Sequence, residues 1–345
     1  MKYQATALAC LLFTLFSCAQ KKAVMPDKLQ LLDSGFIYSK APFASCHAST
    51  LTELPGNKIM AAWFGGKEES DPGVSIWMSV LEKGKWSPPK EIANGTRANN
   101  ERFACWNPVL FYTRQGLLFL YYRVGTSPRT WWTEIKTSVD NGKTWSAARQ
   151  LPEGFLGPIK NKPVQLPNGD ILSPSSTESM TDNKWTIHLE RSDSTGNNWK
   201  KIAVDCDSFS VIQPTLLTHG HDSLQLLCRS RNNVIAQSWS FDGGDTWQKV
   251  TASSLPNPNS GIDAVTLNNG WQLLLYNPTQ QGSNGRSVLT VALSADGRQW
   301  TDSFTLERKE QGEYSYPAVI QTRDGLIHLT YTYDREKIKY VRLKL

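Results

Sequence analysis

A set of side chains able to bind or move protons recurs at matching places along the chain: His47, Asn107, Lys162, Gln213, Asp263, and Tyr316 with its neighbour Tyr314. Each stands just before a short apolar run. His47 precedes Ala-Ser-Thr-Leu51, Asn107 precedes Pro-Val-Leu110, and Lys162 precedes Pro-Val164. Gln213, Asp263 and Tyr316 precede Pro-Thr215, Ala-Val265 and Pro-Ala318. Gathered around one point, they would offer an imidazole suited to proton transfer near neutrality. They would add a phenol, a carboxylate, an ammonium and two amides. A bare scaffold has no use for so many different polar groups at equivalent positions, so together they form the default binding site.

To converge, these residues need a repeating frame. Trp86, Trp145, Trp199, Trp247 and Trp300 recur at roughly 50-residue intervals, as do Gly56, Gly116, Gly169, Gly220, Gly270 and Gly325. The two ladders keep a fixed phase. Between them lie short apolar runs such as Leu118–Tyr122, Leu224–Cys228 and Gln272–Tyr276, bounded by turn residues. Asn-Gly recurs at 141–142, 168–169 and 269–270, a strong hairpin signal. A repeat of this length holding four short strands is a propeller blade. Six glycine markers predict an all-β, six-bladed β-propeller over residues 31–345. The last marker leaves too little chain for a complete blade, so the segment near Phe36-Ile37-Tyr38 is expected to supply the missing strand and close the ring.

The tryptophan ladder carries a motif, complete in Ser138-Val-Asp140-Asn-Gly142-Lys-Thr-Trp145 and Ser240-Phe-Asp242-Gly-Gly244-Asp-Thr-Trp247. Its Asp bonds turn backbone, its Gly takes positive φ and its Trp packs between strands, which is a structural role on the outer hairpins.

The chain has 345 residues, 39% hydrophobic and 20% charged, with formal net charge +6. Basic residues are dispersed, so no nucleic-acid footprint is present. Residues 1–18 read as a signal peptide: Met1-Lys2, an apolar run, then Leu15-Phe16-Ser17-Cys18. That ending resembles a bacterial lipobox and makes Cys18 the lipid anchor, with residues 19–30 as a tether. The expected location is an exported, membrane-anchored lipoprotein in the periplasm or at the cell surface. Cys46, Cys105, Cys206 and Cys228 show no C-x-x-C spacing, which argues against a metal site. They read as single buried thiols rather than a disulfide framework, and no cofactor is expected.

With these motifs the chain resembles the sialidase (neuraminidase) superfamily in its BNR-repeat, or Asp-box, branch, over about residues 36–345. The resemblance implies an exo-acting glycoside hydrolase that takes a terminal acidic sugar, a sialic acid or uronate, from a glycan. By position, Arg229 and Arg286 match two arginines that grip the sugar carboxylate. Tyr314 matches the nucleophile segment and Asp71, after Ala61-Ala-Trp-Phe-Gly65, the acid/base position. Two positions depart from the pattern: His47 stands where the family's first arginine falls, and the Tyr-activating Glu aligns near Val211, with Gln213 following. Two alternatives stay open. One is a uronate lyase with His47 as base and Tyr314 or Tyr316 as proton donor. The other is a non-catalytic glycan-binding propeller in which Trp106, Trp131 and Trp132 stack on sugar rings.

Overall fold

The computed structural model describes residues 28–280 and 285–345. Cys18, the signal peptide and most of the tether lie outside the described residues. Six antiparallel sheets form the blades. Blade 1 comprises Ser45–Leu54, Lys58–Gly66, Ser75–Glu82, and outer strands at Lys85–Trp86 and Lys90–Ala93. Blade 2 comprises Cys105–Tyr112, Leu118–Val124, Trp132–Ser138 and Arg149–Gln150. Blade 3 comprises Val164–Gln165, Ile171–Glu178, Trp185–Ser192 and Lys200–Ala203. Blade 4 comprises Val211–Thr218, Leu224–Ser230, Val234–Ser240 and Thr251–Pro256. Blade 5 comprises Asp263–Thr266, Gln272–Tyr276, Val288–Ser294 and Thr301–Arg308. Blade 6 comprises Tyr314–Gln321, Ile327–Tyr333 and Lys337–Lys344, completed by Gln30–Phe36.

The ring closes as the repeat arithmetic requires, through the N-terminal segment. Gly35 pairs with Tyr340 and Phe36 with Lys339, and Ile37 N–H donates to Ile338 O at 3.0 Å. The pairing starts earlier than expected: Gln30 already faces Lys344, and Leu29 is buried in the core shared by blades 5 and 6.

Second strands are largely buried because neighbouring blades cover both faces. Leu118–Val124 and Leu224–Ser230 are buried at every residue, whereas the outer strand Lys200–Ala203 is mostly exposed. The Asp boxes fold as structural turns. In blade 2, Ser138 Oγ donates to Asp140 Oδ1 at 2.8 Å, Gly142 N–H donates to Ser138 Oγ at 2.8 Å, and Thr144 Oγ1 donates to Asp140 Oδ2 at 2.6 Å. Blade 4 repeats the pattern at Ser240, Asp242, Gly244 and Thr246. Gly142 and Gly244 take φ of 81° and 89°, the left-handed geometry this turn demands. The four cysteines of the propeller are free and buried.

Candidate active site

Inner strands begin, and second strands end, at one mouth of the propeller. There four inner strands carry the same irregularity. The ladder shifts register between His47 and Thr50, opposite Asn107-Pro108, between Ile212 and Thr215, and between Ser315 and Ala318. Each bulge holds a non-glycine residue at positive φ: Ala48 (52°), Asn107 (36°), Gln213 (56°) and Tyr316 (50°). A bulge re-aims side chains, and left-handed backbone at such residues is uncommon and clusters at functional sites. The shared level also corrects the ring as read from sequence. Ala48, not His47, is the blade 1 equivalent of Gln213 and Tyr316; His47 sits one residue earlier.

Tyr316 is the hub of this mouth. Its half-buried phenol oxygen accepts a hydrogen bond from Arg229 Nη1 at 2.8 Å and a long one from Gln213 Nε2 at 3.4 Å. The His47 ring lies 4.1 Å from the Tyr316 ring, centre to centre, and meets Phe64 edge-on on its other side. The cationic centres of Arg286 and Lys160 stand 5.6 and 5.8 Å from the Tyr316 ring. His47 is almost completely buried and its Nδ1 has no hydrogen-bond partner among the described residues. Burial, then the charges of Arg335, Arg286, Lys160 and Arg229, hold its pKa well below the ordinary histidine value, so the ring is neutral.

Both arginines matched by position reach the hub, from different blades. Arg229 is fixed by Asn259, whose Oδ1 accepts from Nε at 2.9 Å and whose backbone carbonyl accepts from Nη2. Arg286 is half-buried and pairs with Glu313 at 2.8 Å. Gln213 also accepts from Arg229 at 3.3 Å, and Asn107 is buried at its own bulge.

Other assigned residues are engaged away from the hub, which corrects the reading of Tyr314, Lys162 and Asp263 as lining it. Tyr314 points into the blade 6 core, fully buried, its ring 5.0 Å from that of Tyr333. Successive strand residues face opposite sides, and the bulge turns Tyr316, rather than Tyr314, to the mouth. Lys162 and Asp263 neutralise each other at 2.8 Å. Asp263 also accepts from Thr215 Oγ1 at 2.9 Å and Val319 N–H at 2.8 Å, so it is the tie that joins blades 3 to 6. Lys162 instead lines a cavity of about 490 Å³ at the opposite mouth, with Glu53, Arg114 and Arg323. Asp71 caps its own turn, accepting from Gly73 N–H at 2.7 Å, and makes no hydrogen bond, ion pair or ring contact with the Tyr316 cluster among the described residues. Trp106 is buried with its indole N–H on Gly125 O at 3.0 Å, and Trp131 packs against it at 6.0 Å.

Residues unmarked by the sequence reading complete the site. Lys160 is buried and donates to Asn161 Oδ1 (2.9 Å), Ile262 O (2.8 Å) and Pro317 O. Burial pushes its pKa down to about 7, yet three oxygen acceptors match the three protons of an ammonium and hold the charge. Its bond to Pro317 O pins the bulge that aims Tyr316. Arg335 lies nearby, pairing with Glu313 at 2.9 Å and with Glu69. Glu313 thus bridges Arg286 and Arg335, which hold its carboxyl below the usual range against the opposing effect of burial. The available signal was the X-Pro pairs Asn107-Pro108, Gln213-Pro214 and Tyr316-Pro317, which mark three of the bulges.

The six-bladed propeller matches the architecture of solved sialidase structures. The chain belongs to the BNR repeat-like domain family, whose model matches residues 57–329. It is 23% identical over 224 residues to the anhydrosialidase of Macrobdella decora, a match covering 57% of this chain and 29% of that relative. Among solved structures, a protein of unknown function from Dyadobacter fermentans superposes with TM-score 0.76 at 16% identity, covering 93% of this chain and 100% of that one. The intramolecular trans-sialidase of Ruminococcus gnavus gives 0.70 at 15% identity, covering 90% and 97%. The NanB sialidase of Streptococcus pneumoniae gives 0.68 at 13% identity, covering 88% and 69%. At these identities the structural likeness establishes the fold.

Proposed function

We propose that the protein is an exo-acting, sialidase-like glycosidase that removes a terminal acidic sugar from glycans, with Tyr316 as the reacting group. The observation that carries this reading is the Arg229 Nη1–Tyr316 oxygen contact of 2.8 Å, with Arg286 5.6 Å from the same ring. Where the anomeric carbon bears a carboxylate, an anionic carboxylate nucleophile is repelled, and a phenol oxygen avoids that cost. The N–H groups of Arg229 and Gln213 occupy the acceptor side of the phenol, leaving its own O–H for the mouth. The same donors stabilise charge on that oxygen while it attacks. Arg286 and Arg229 supply planar forks for the sugar carboxylate. The named relatives with sialidase or trans-sialidase activity support a glycan substrate. The test is incubation of the purified protein with sialosides and uronate-capped oligosaccharides, with mass detection of the released sugar.

One observation favours a second reading, elimination at a uronate. A neutral imidazole 4.1 Å from a tyrosine ring is placed to take a proton while the phenol gives one. An ultraviolet-absorbing unsaturated product marks elimination; a saturated free sugar marks hydrolysis.

The lipobox reading of Cys18 is a further part of the proposal, placing the propeller on a bacterial membrane. Cys18→Ala should abolish incorporation of labelled lipid, and unchanged labelling would remove the anchor from the account.

A further inference from the structure

Hydrolysis of a glycoside needs a proton for the leaving oxygen, and most carboxylates near this mouth are already engaged. Glu313 is held between Arg286 and Arg335, and Glu69 pairs with Arg335. Asp71 caps Gly73. Asp263 is locked on Lys162 below the hub. Glu178 differs. It ends the second strand of blade 3, at the mouth, as Arg229 nears the end of the second strand of blade 4. It is half-buried and has no ion pair within 4.0 Å among the described residues. Across the strand pair stands Trp185, whose indole N–H faces the carboxyl without meeting full hydrogen-bond geometry. The Trp185 ring in turn lies 5.8 Å from the Arg229 guanidinium and 3.7 Å from that of Arg231. Glu178 therefore shares a wall with the arginine that touches Tyr316.

We infer that Glu178 is the general acid of this site, giving its carboxyl proton to the leaving oxygen. The inference rests on the glycosidase reading. In the first step the phenol of Tyr316 gives its proton to solvent water at the mouth, its oxygen bonds to the anomeric carbon and the bond to the leaving oxygen breaks. The electron pair stays on that oxygen, which takes the Glu178 proton. In the second step water attacks the same carbon and gives a proton back to Glu178, and the Tyr316 oxygen leaves with its electron pair and recovers a proton from solvent water. The charged groups facing Glu178 are Arg229 and Arg231 from blade 4 and Arg129 from the rim segment of blade 2. All three favour the carboxylate, but burial outweighs them and raises the pKa above the ordinary glutamate value. A raised pKa is what a proton donor working near neutrality requires.

The test compares Glu178→Gln and Asp71→Asn on two kinds of substrate, alkyl and 4-nitrophenyl glycosides of sialic acid and glucuronic acid. A general acid matters only where the leaving group is poor. Glu178→Gln should lose on the order of 100- to 1000-fold with the alkyl leaving group and less than about 10-fold with nitrophenyl. The alkaline limb of the parent kcat/KM profile should vanish with it, while Asp71→Asn keeps both. The same pattern in Asp71→Asn, or an unchanged alkaline limb in Glu178→Gln, overturns the assignment. A parent protein that turns over none of these glycosides sinks the glycosidase reading instead. Glu178 is then judged separately by infrared difference titration against Glu178→Gln, where a protonated band lost in the ordinary glutamate range overturns it.

Discussion

The Tyr316 phenol oxygen accepts a hydrogen bond of 2.8 Å from Arg229 Nη1, and that bond joins blade 6 to blade 4 across the propeller mouth. Neither residue could reach the other without ring closure. The pair therefore connects global topology to local chemistry, and exchanging each tyrosine of the segment tests it. Tyr316→Phe removes the reacting oxygen and should reduce turnover on the order of 100- to 1000-fold with little change in Tm. Tyr314→Phe alters a core side chain and should leave turnover near the parent's. Loss of activity in Tyr314→Phe with retention in Tyr316→Phe would reassign the segment.

Arg229 and Arg286 are expected to read the substrate carboxylate. Each single change to Ala should cost roughly 30- to 1000-fold on the acidic sugar, as expected for a charge-assisted contact of about 2–4 kcal/mol away from water. Arg→Lys should not restore it, because a point charge lacks the fork. The methyl ester should be a poor substrate for the parent and nearly indifferent to these changes. Arg229→Ala should also lower Tm, since it strands Asn259. Equal turnover of acid and ester by the parent would make both arginines structural.

The repeat was legible because its signals are local chemistry. Gly at positive φ and Asp-Thr turns are written residue by residue, so six blades and the N-terminal closing strand could be counted from sequence. The site was legible only in part. Arg229, Arg286, His47, Gln213 and Tyr316 do converge, but alternation within a strand is broken by bulges that no period-2 reading carries. That is why Tyr314 stood in for Tyr316, and why His47 stood in for Ala48 as a ring position. Lys162 and Asp263 misled for another reason. A polar residue facing an axis can bind a ligand or bind its neighbour across the axis, and only distance decides between them. Lys160 and Arg335 lay outside the pattern because they act from a non-strand segment and a turn.

Closure should be measurable as stability. Removing residues 28–36 would expose the edge of Lys337–Lys344 along its whole pairing with Gln30–Phe36. Thermal unfolding should then fall by on the order of 10 °C, with concentration-dependent aggregation. An unchanged Tm would mean that the ring does not depend on this strand.

Acid should weaken the outer turns first. The carboxyls of Asp140 and Asp242 are pulled down to about 2, chiefly by hydrogen bonds from Thr144 and Thr246. Because their folded pKa is depressed, the stability they contribute is present above the unfolded value of about 4 and is lost as pH falls toward about 2. Asp140→Asn and Asp242→Asn should lower stability at neutral pH and flatten the acid limb of a Tm-against-pH curve. His47 acts in a different window. It stays neutral when folded, so the unfolded chain binds an extra proton below about 6.5 and stability declines from there. A His47→Gln chain with the same slope between neutrality and the carboxylate range would contradict that assignment.

The central claim is that Tyr316 works on an acidic sugar at this mouth. Its most direct test is release of free monosaccharide from sialylated and uronate-capped oligosaccharides, followed by mass spectrometry for the parent protein and Tyr316→Phe side by side. The account predicts an acidic monosaccharide from the parent and almost none from the variant. Release of only neutral sugars, or equal release by both proteins, would contradict it.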